Sequence, residues 1–270
     1  MLTEASETLK SNIQLGFPQL PDPGSPTHIE VLGQWIQDCD QKHQCLHSQD
    51  TPFLPTRLIY VGKNVSEKAR LICKTESLAK ETKYLALSHR WGSRPKEGQP
   101  DPLEGKIVCT DKENIDRLGH GFDESELPPM YLDAILIARE LKVEYLWIDS
   151  LCIIQQDEED WKEESELMEQ VFRSAYATLA ATCASSPAER FLKTRPERQC
   201  VTMKADEALY YLCDAIDDFS GDVEQGELNN RGWVFQERAL SRRTIYFAEK
   251  QTYWECGKGV RCETLMKTSK

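Results

Sequence analysis

Three short segments of this sequence carry side chains that could bind and act on a small polar ligand. The first is Ser88-His89-Arg90-Trp91-Gly92, the second begins at Asp149-Ser150-Leu151-Cys152, and the third spans residues 231–238 and includes Trp233 and Glu237. A carboxylate can stabilise developing positive charge, an indole can stack on a planar ring, and an arginine can hold a phosphate. Together the segments indicate a candidate ligand site.

Each of these side chains also has an ordinary structural role open to it. Asp149 could cap the turn that follows it, and Trp91 could cover the edge of a sheet. Glu237 could pair with a nearby surface arginine. The ligand-site interpretation gains weight because the first two segments both follow predicted buried strands.

The pattern around these segments predicts an α/β fold. Tyr84–Ser88 and Tyr145–Ile148 are almost continuously apolar, as expected of strands that are covered on both faces. Helical spacing of apolar residues over 131–141 leads into the second strand, and a helix over 157–175 leads into a strand at 178–182. This alternation predicts a mainly parallel sheet with helices on both faces, and ligands of such sheets lie at the carboxyl ends of the strands.

The N-terminal part of the chain predicts a helix and a hairpin. A proline- and glycine-rich stretch over 17–26 precedes Thr27, which we interpret as an N-cap with Glu30 completing a capping box. One face of the predicted helix carries apolar residues, namely Ile29, Leu32, Trp35 and Ile36. Short apolar runs at 57–61 and 70–74 predict two paired strands.

The C-terminal part predicts a strand at 209–213, a short helix over 231–240 and strands near 244–247 and 252–256. We expect the last dozen residues to be frayed. The resulting division is a proline-rich leader at 1–26, one domain at 27–260 and a tail at 261–270.

Composition narrows the functional classes. The 270 residues include 45 acidic and 33 basic side chains, a net charge of −12, which repels nucleic acid and anionic lipid. No apolar run approaches the roughly 20 residues of a membrane span, and the first ten residues do not resemble a signal peptide. We expect a cytosolic protein that binds neither nucleic acid nor membrane. The ten cysteines form no CxxC pair, and we expect thiols rather than disulfides.

The three segments, taken with their surroundings, resemble the heterokaryon-incompatibility (HET) domain of filamentous fungi. The matching blocks are YLALSHRWG from Tyr84, LWIDSLCIIQQDEEDW from Leu146 with the helix that follows, and RGWVFQERALSRRTIYF from Arg231. Their order and spacing match as well, and the resemblance covers roughly residues 57–256. The N-terminal residues Trp35, Cys39, His43 and Cys45 also look like the start of the family's domain. The resemblance implies a role in non-self recognition and regulated cell death in fungal cytoplasm.

The HET domain is distantly similar to the Toll/interleukin-1 receptor (TIR) domain, a flavodoxin-like α/β fold. Leu87-Ser88-His89-Arg90 looks like the turn after the first TIR strand, and Trp233-Val234-Phe235-Gln236-Glu237 has the spacing of the Trp-x-x-x-Glu element of NAD-cleaving TIR domains. Residues four apart share a helical face, so the ring and the carboxylate can address one ligand. The resemblance therefore implies an NAD⁺ glycohydrolase with Glu237 as the catalytic residue.

In this interpretation NAD⁺ is the substrate and no cofactor or metal is needed. Nicotinamide leaves as a neutral ring, positive charge develops on the ribose, and Glu237 stabilises that charge. The residues expected to contact NAD⁺ are Ser88, His89, Arg90, Trp91, Asp149, Arg231 and Trp233. We expect the domain to self-associate. The alternative is a non-enzymatic, self-associating signalling module in which the same segments form the core and the interface.

Three other chemistries stay open on the sequence. Cys152 could be a nucleophile with His89 as base and Asp149 orienting it. The acidic run at 157–160, with Glu163 and Glu164, could bind magnesium, although it also suits the first turn of a helix. A zinc site could use Cys39, His43, Cys45 and His47 with Cys256 and Cys262, but these intervals match no standard ligand spacing.

Overall fold

The computed structural model describes residues 19–43, 45–46, 53–92, 99–205, 208–226, 228, 237–264 and 267–268. It is a mixed α/β fold in which helices flank a central sheet. None of the helices in these ranges combines the length and the apolar character that crossing a lipid bilayer requires.

The described strands form a nine-stranded sheet and a separate two-stranded hairpin. In chain order they are β1 (Leu58–Tyr60), β2 (Arg70–Ile72), β3 (Tyr84–Ser88), β4 (Tyr145–Ile148), β5 (Ala177–Ala180), β6 (Cys200–Ala205), β7 (Ala208–Cys213), β8 (Arg243–Phe247), β9 (Thr252–Cys256), β10 (Gly259–Cys262) and β11 (Lys267–Thr268). The large sheet has the order β11-β10-β9-β8-β5-β3-β4-β1-β2, and β6 pairs with β7.

The expectation of a mainly parallel sheet is correct only for the centre. The pairs β3–β4, β3–β5 and β5–β8 are parallel. Both edges are antiparallel, with β1 and β2 beyond β4 and with β9, β10 and β11 beyond β8. Short turns join β8 to β9 and β9 to β10, as is usual for antiparallel neighbours, whereas the parallel strands are joined through longer crossover connections. β1 reaches its antiparallel partner β4 from a distant part of the chain. The centre is buried accordingly, because every residue of β3, β5 and β8 is buried.

The described helices lie mostly between the parallel strands. They are α1 (Pro26–Asp38), which continues as a π-helical turn over Cys39–His43, then α2 (Ile115–His120), α3 (Pro129–Glu140), the single turn α4 (Asp149–Cys152) and α5 (Glu158–Ser174). Residues 237–240 form a further helical turn before β8, so the predicted helix over 231–240 is described only in its last part.

Helix α1 begins earlier than the sequence predicts. Ser25, not Thr27, is the N-cap, and its Oγ accepts a hydrogen bond from the backbone N–H of His28. Pro26 then occupies the first helical position, where its missing N–H costs nothing. The predicted apolar face is confirmed, because Ile29, Leu32, Trp35 and Ile36 are all buried.

The prediction of a frayed C-terminus is wrong for residues 259–264. β10 pairs along β9, and Cys262 and Glu263 are fully buried. Glu263 is held by Arg195, whose Nη1 lies 2.8 Å from Oε2. The boundary drawn at residue 260 therefore cuts through a strand of the sheet.

The expectation that all cysteines are thiols is also wrong at one pair. Cys200 and Cys213 form a disulfide that closes the β6–β7 hairpin. The antiparallel register places these two residues directly opposite each other, which is the geometry that cross-strand bonding needs. The partner strand β6 carries no strong strand pattern, so the sequence alone did not reveal this register.

His28 on α1 ties the N-terminal helix to β9. Its Nδ1 accepts a hydrogen bond from the backbone N–H of Gly24, so Nε2 carries the ring proton and bonds Thr252 Oγ1 at 2.9 Å. Burial lowers the pKa of His28 to about 4, and Arg195 adds to this effect while Glu263 opposes it. The ring is therefore neutral in the folded protein at neutral pH.

This neutral histidine predicts a loss of stability in mild acid. The unfolded chain, in which the pKa returns to its ordinary value near 6.5, binds the proton more tightly than the folded chain does. We expect the free energy of unfolding to fall by about 2 kcal/mol from this group as the pH drops to about 5. Urea unfolding over this range should show the contribution in wild type and in His120→Gln, which alters an exposed histidine, and should lack it in His28→Gln. Identical pH profiles of the three proteins would contradict the assignment.

Candidate functional site

A cleft lies beside the carboxyl ends of β3 and β4. Its volume is about 190 Å³. It is lined by residues of the loop after β3, of α4, of the segment between α4 and α5, of α5, and of the helical turn before β8: Trp91, Asp149, Ile153, Gln155, Trp161, Ser165, Met168 and Glu237. Three residues that the sequence singled out, Trp91, Asp149 and Glu237, thus surround one cavity although they lie far apart in the chain.

Asp149 joins two sides of the cleft. Trp91 Nε1 donates a hydrogen bond to Asp149 Oδ2 at 2.7 Å, and the backbone N–H of Ser150 donates to Oδ1 at 2.7 Å. His89 Nδ1 lies 3.7 Å from Oδ1. Asp149 therefore fixes the position of the indole while remaining partly open to the cleft. This contact accounts for the orientation of Trp91, which is 39% exposed.

His89 lies beneath the cleft rather than on its surface. Its buried ring packs edge-to-face on Tyr131 with centroids 5.6 Å apart, and Nε2 is 3.5 Å from the Tyr131 hydroxyl. That hydroxyl also bonds Ser150 Oγ at 2.7 Å. His89 thus connects the loop after β3 with α3 and α4, and it is not among the residues that line the cleft.

Glu237 is the most buried acidic side chain on the wall of the cleft, with 8% of its surface exposed. Its carbonyl oxygen accepts hydrogen bonds from the backbone N–H and the hydroxyl of Ser241, at 3.1 and 2.7 Å. Ser241 Oγ in turn accepts from Thr178 Oγ1 of β5 at 2.8 Å. The helical turn that carries Glu237 is therefore anchored to the parallel centre of the sheet.

The other predicted site residues are placed differently. Ser88 is buried as the last residue of β3, and its carbonyl oxygen accepts from the N–H of Ala181. Hydrogen bonds from Ser185 are the main cause that lowers the pKa of Glu189 in the loop after β5, and the charges of Lys193 and of the nearby Arg90 add to the effect. Arg231 and Trp233 lie outside the described residues.

Sequence reasoning missed Trp161. This residue is 52% exposed and lines the cleft. The available signal was its position: an aromatic residue one turn into the helix that follows the carboxyl end of a central strand lies where ligands of α/β sheets bind. The cleft therefore has two indoles, Trp91 and Trp161, around the carboxylates of Asp149 and Glu237.

Gly92 allows the loop after β3 to pack against the loop after β5. Its φ is +75°, and a Cβ at this position would lie 2.5 Å from Ser186 Cβ. Gly105 has a similar φ of +73° but no atom within 4 Å of the same position. Both glycines therefore have a left-handed backbone, but only at Gly92 would an added Cβ also overlap a neighbouring atom.

We expect Gly92→Ala to destabilise the protein by about 1–3 kcal/mol more than Gly105→Ala does, because only the first adds an overlap to the cost of the left-handed backbone. Urea denaturation of the two variants measures the difference. The double variant Gly92→Ala with Ser186→Gly should recover most of it, because the second change removes the overlapping atom. Equal destabilisation by the two alanines would show that the contact with Ser186 has no effect.

The alternative chemistries at this end of the sheet find little support in the geometry. Cys152 is fully buried, and burial raises the pKa of its thiol to about 12, so the reactive thiolate is scarce at neutral pH. In the acidic run, Asp157 caps α5 and pairs with Lys112 at 2.9 Å, and Asp160 pairs with Arg57. These carboxylates have structural partners.

Comparison with known proteins identifies the family. No curated protein and no solved structure gives a match. The family model described as heterokaryon incompatibility protein (HET) matches residues 84–237. This match covers more than half of the chain, begins at the first residue of β3 and ends at Glu237, so it includes the described walls of the cleft. The chain belongs to the heterokaryon incompatibility (HET) family.

Proposed function

We propose that this HET protein cleaves NAD⁺ to nicotinamide and ADP-ribose in the fungal cytosol and thereby contributes to regulated cell death after non-self recognition. One observation carries the proposal: the buried carboxylate of Glu237 shares a cleft with Trp91, Trp161 and Asp149. A carboxylate among aromatic rings suits a reaction in which positive charge develops next to a planar leaving group.

The strand order supports a flavodoxin-like centre of the kind that TIR domains have. Numbered along the chain, the parallel strands β3, β4, β5 and β8 have the spatial order second, first, third, fourth. This order reverses direction between β3 and β5, and doubly wound sheets bind ligands in the crevice outside the carboxyl ends at that point. The loop after β3 carries Trp91 into the cleft.

The proposed reaction breaks the bond between the nicotinamide nitrogen and C1 of the ribose. The bonding electron pair leaves with nicotinamide, which becomes neutral, and the ribose passes through a transition state with oxocarbenium character. Water then adds to C1 and releases a proton. Glu237 stabilises the developing positive charge, and a buried carboxylate acts more strongly than one in water.

The size of the cleft limits which part of NAD⁺ it holds. Its volume of about 190 Å³ is below the roughly 300–1,000 Å³ of sites that enclose a whole drug-sized ligand. The cleft therefore suits the nicotinamide-ribose end, with an indole stacked on the ring. The pyrophosphate would lie outside the cleft, and Arg90, in the loop after β3, is the described candidate to bind it bidentately.

The direct test is to incubate the purified protein with NAD⁺ and follow nicotinamide release by chromatography. The assay is run at low and high protein concentration and with a crowding agent, because we expect self-association to favour the active form. Release of nicotinamide and ADP-ribose in equal amounts supports the proposal. Absence of release under all these conditions contradicts it.

A second candidate function is a self-associating signalling module, and the β6–β7 hairpin favours it. Directly opposite residues of a hairpin share a face, so Val201, Met203, Tyr210 and Leu212 lie together on one side. These four side chains are 37–65% exposed, which is unusual for a contiguous apolar group. A second copy of the hairpin would cover this face with the same residues, as two-fold symmetric interfaces do.

Sedimentation analysis over a range of protein concentrations tests this interface. We expect wild type to associate and a Val201→Lys, Leu212→Lys variant to stay monomeric, whereas Val65→Lys, at an exposed valine away from the hairpin, should behave as wild type. Association that is unaffected by the hairpin changes would place the interface elsewhere.

A further inference from the structure

Four side chains of the types that bind metals lie close together where the end of α1 meets the end of β9. Cys39 and His43 lie on the π-helical turn that ends α1, Cys45 follows two residues later, and Cys256 is the last residue of β9. One ligand atom from each residue can be chosen so that all four lie within 4.8 Å of one another. The sequence analysis considered all four of these residues together with His47 and Cys262. His47 lies outside the described residues, and Cys262 Sγ instead contacts Asp217 and Thr264.

The spacing suits a tetrahedral zinc ion. With Zn–S bonds of about 2.3 Å and Zn–N bonds of about 2.0–2.1 Å, ligand atoms in a tetrahedral site are about 3.5–3.8 Å apart. Cys256 Sγ lies 3.4 Å from His43 Nδ1, and the remaining pairs fall within the 4.8 Å limit. Three thiolates and one imidazole form a recognised structural zinc set.

The surroundings suit the charge of such a site. Three thiolates and Zn²⁺ carry a net charge of −1, and Arg243 is a buried cation close enough to Cys39 for their charges to interact. Arg243 Nη2 donates to Asp40 at 2.6 Å, but Nε and Nη1 make no hydrogen bond to any residue in the described ranges. Metal-bound thiolate sulfur accepts hydrogen bonds, and these two donors belong to the buried cation whose charge interacts with Cys39.

A disulfide is the other way in which clustered cysteines can be used. Cys39, Cys45 and Cys256 are all free in the structure, whereas Cys200 and Cys213 are bonded. A disulfide would use two of the three cysteines and would leave the third and His43 without a role. A metal uses all four side chains.

We propose that Cys39, His43, Cys45 and Cys256 bind one structural zinc ion. The ion joins the end of α1 to β9, two segments that are 213 residues apart at His43 and Cys256. With four protein ligands the coordination shell is closed, so the site stabilises the fold and has no open position for catalysis. This inference is independent of NAD⁺ cleavage.

The test is elemental analysis of the full chain, expressed in zinc-supplemented medium and purified without chelator. We expect one zinc per chain in wild type. Replacement by Co²⁺ should produce the visible absorption of a tetrahedral thiolate site. His43→Ala and Cys45→Ser should each lower the affinity for zinc by at least about tenfold, whereas Cys73→Ser, which removes an exposed cysteine elsewhere, should keep full occupancy.

The wild-type result decides the proposal even if a ligand variant fails to fold. Wild type that carries less than about a tenth of an equivalent of zinc and gives no thiolate absorption with Co²⁺ would overturn it. So would mass spectrometry that finds a disulfide among Cys39, Cys45 and Cys256 in the freshly purified protein, or zinc content that is the same in the two ligand variants as in wild type.

Discussion

Glu237→Gln is expected to lower the rate of nicotinamide release by about 100- to 1,000-fold while leaving the fold intact. Glutamine keeps the size and shape of the side chain, but it lacks the negative charge and carries an NH2 donor in place of one acceptor oxygen. Removing a preorganised group that stabilises transition-state charge costs about this much. Because the positive charge on the ribose develops only as the bond breaks, the loss should appear in kcat and leave KM for NAD⁺ nearly unchanged.

A matched control for this variant is available close by in the chain. Glu224 is 44% exposed and pairs with Arg238 at 3.2 Å, and it does not line the cleft. Glu224→Gln removes the same charge from the protein and should keep wild-type turnover. Turnover by Glu237→Gln that equals wild type would remove Glu237 from the catalytic role, even if the protein cleaves NAD⁺.

Variants at the two indoles of the cleft should affect substrate binding, whereas variants at Glu237 should affect the chemical step. If Trp91 or Trp161 stacks on the nicotinamide ring, its contribution is made in both the bound substrate and the transition state. Such uniform binding changes KM rather than kcat. The kinetic pattern of Glu237 variants therefore differs from that of variants at the indoles.

The strongly patterned elements of this fold could be predicted from the sequence. β3 and β4 consist of short apolar runs followed by polar turns, and α1 has one clear apolar face. In each case the spacing of the element's own apolar residues predicts which of its side chains are buried, and this burial stabilises the element. The short apolar runs of β1 and β2 likewise predicted that these two strands pair.

The elements that the sequence did not reveal depend on partners outside their own residues. β6 has exposed side chains, so nothing in its own pattern identifies it, and its order comes from the register with β7. The residues after β10 are buried because Glu263 pairs with Arg195, which is 68 residues away. Long-range ion pairs of this kind leave no periodic signal in the sequence.

The residues of the candidate site also differ in how far the sequence alone identifies them. Asp149 could be singled out because it follows the end of a predicted strand, and Glu237 because its spacing from Trp233 resembles the Trp-x-x-x-Glu element of NAD-cleaving TIR domains. Trp161 was missed although its position was a signal, because which residues of α5 are buried depends on where the helix meets the sheet. The sequence offered all four residues of the metal cluster among six candidates but could not select them, because Cys256 joins Cys39 only through the folded position of β9.

The largest effect on stability is expected at Arg57, which holds the segment between β4 and α5. Its Nε donates to the carbonyl oxygen of Cys152 at 2.9 Å, Nη2 pairs with Asp160, and Nη1 lies 3.7 Å from Glu164 Oε1. Asp160 also accepts the backbone N–H of Ile154 at 2.8 Å. Arg57 therefore positions the segment that contributes Ile153 and Gln155 to the lining of the cleft.

We expect Arg57→Met to lower the free energy of unfolding by about 3–5 kcal/mol, because Glu164 would remain buried with no cation beside it. Arg117→Met is the matched control, since Arg117 pairs with Glu126 on the surface and such pairs contribute at most about 1 kcal/mol. Urea denaturation at neutral pH measures both. A loss of similar size in the two variants would contradict a special role for Arg57.

The pH dependence of this loss identifies its cause. Burial raises the pKa of Glu164, while a hydrogen bond from Thr56 and the charge of Arg57 oppose the shift, so removing Arg57 should raise that pKa further. A carboxyl whose pKa is higher in the folded than in the unfolded state costs stability as the pH rises through its folded value. The deficit of Arg57→Met should therefore be largest at neutral pH and shrink in acid, where Glu164 is protonated. Adding Glu164→Gln should recover part of the loss at neutral pH and abolish its pH dependence, because the uncompensated charge is then gone.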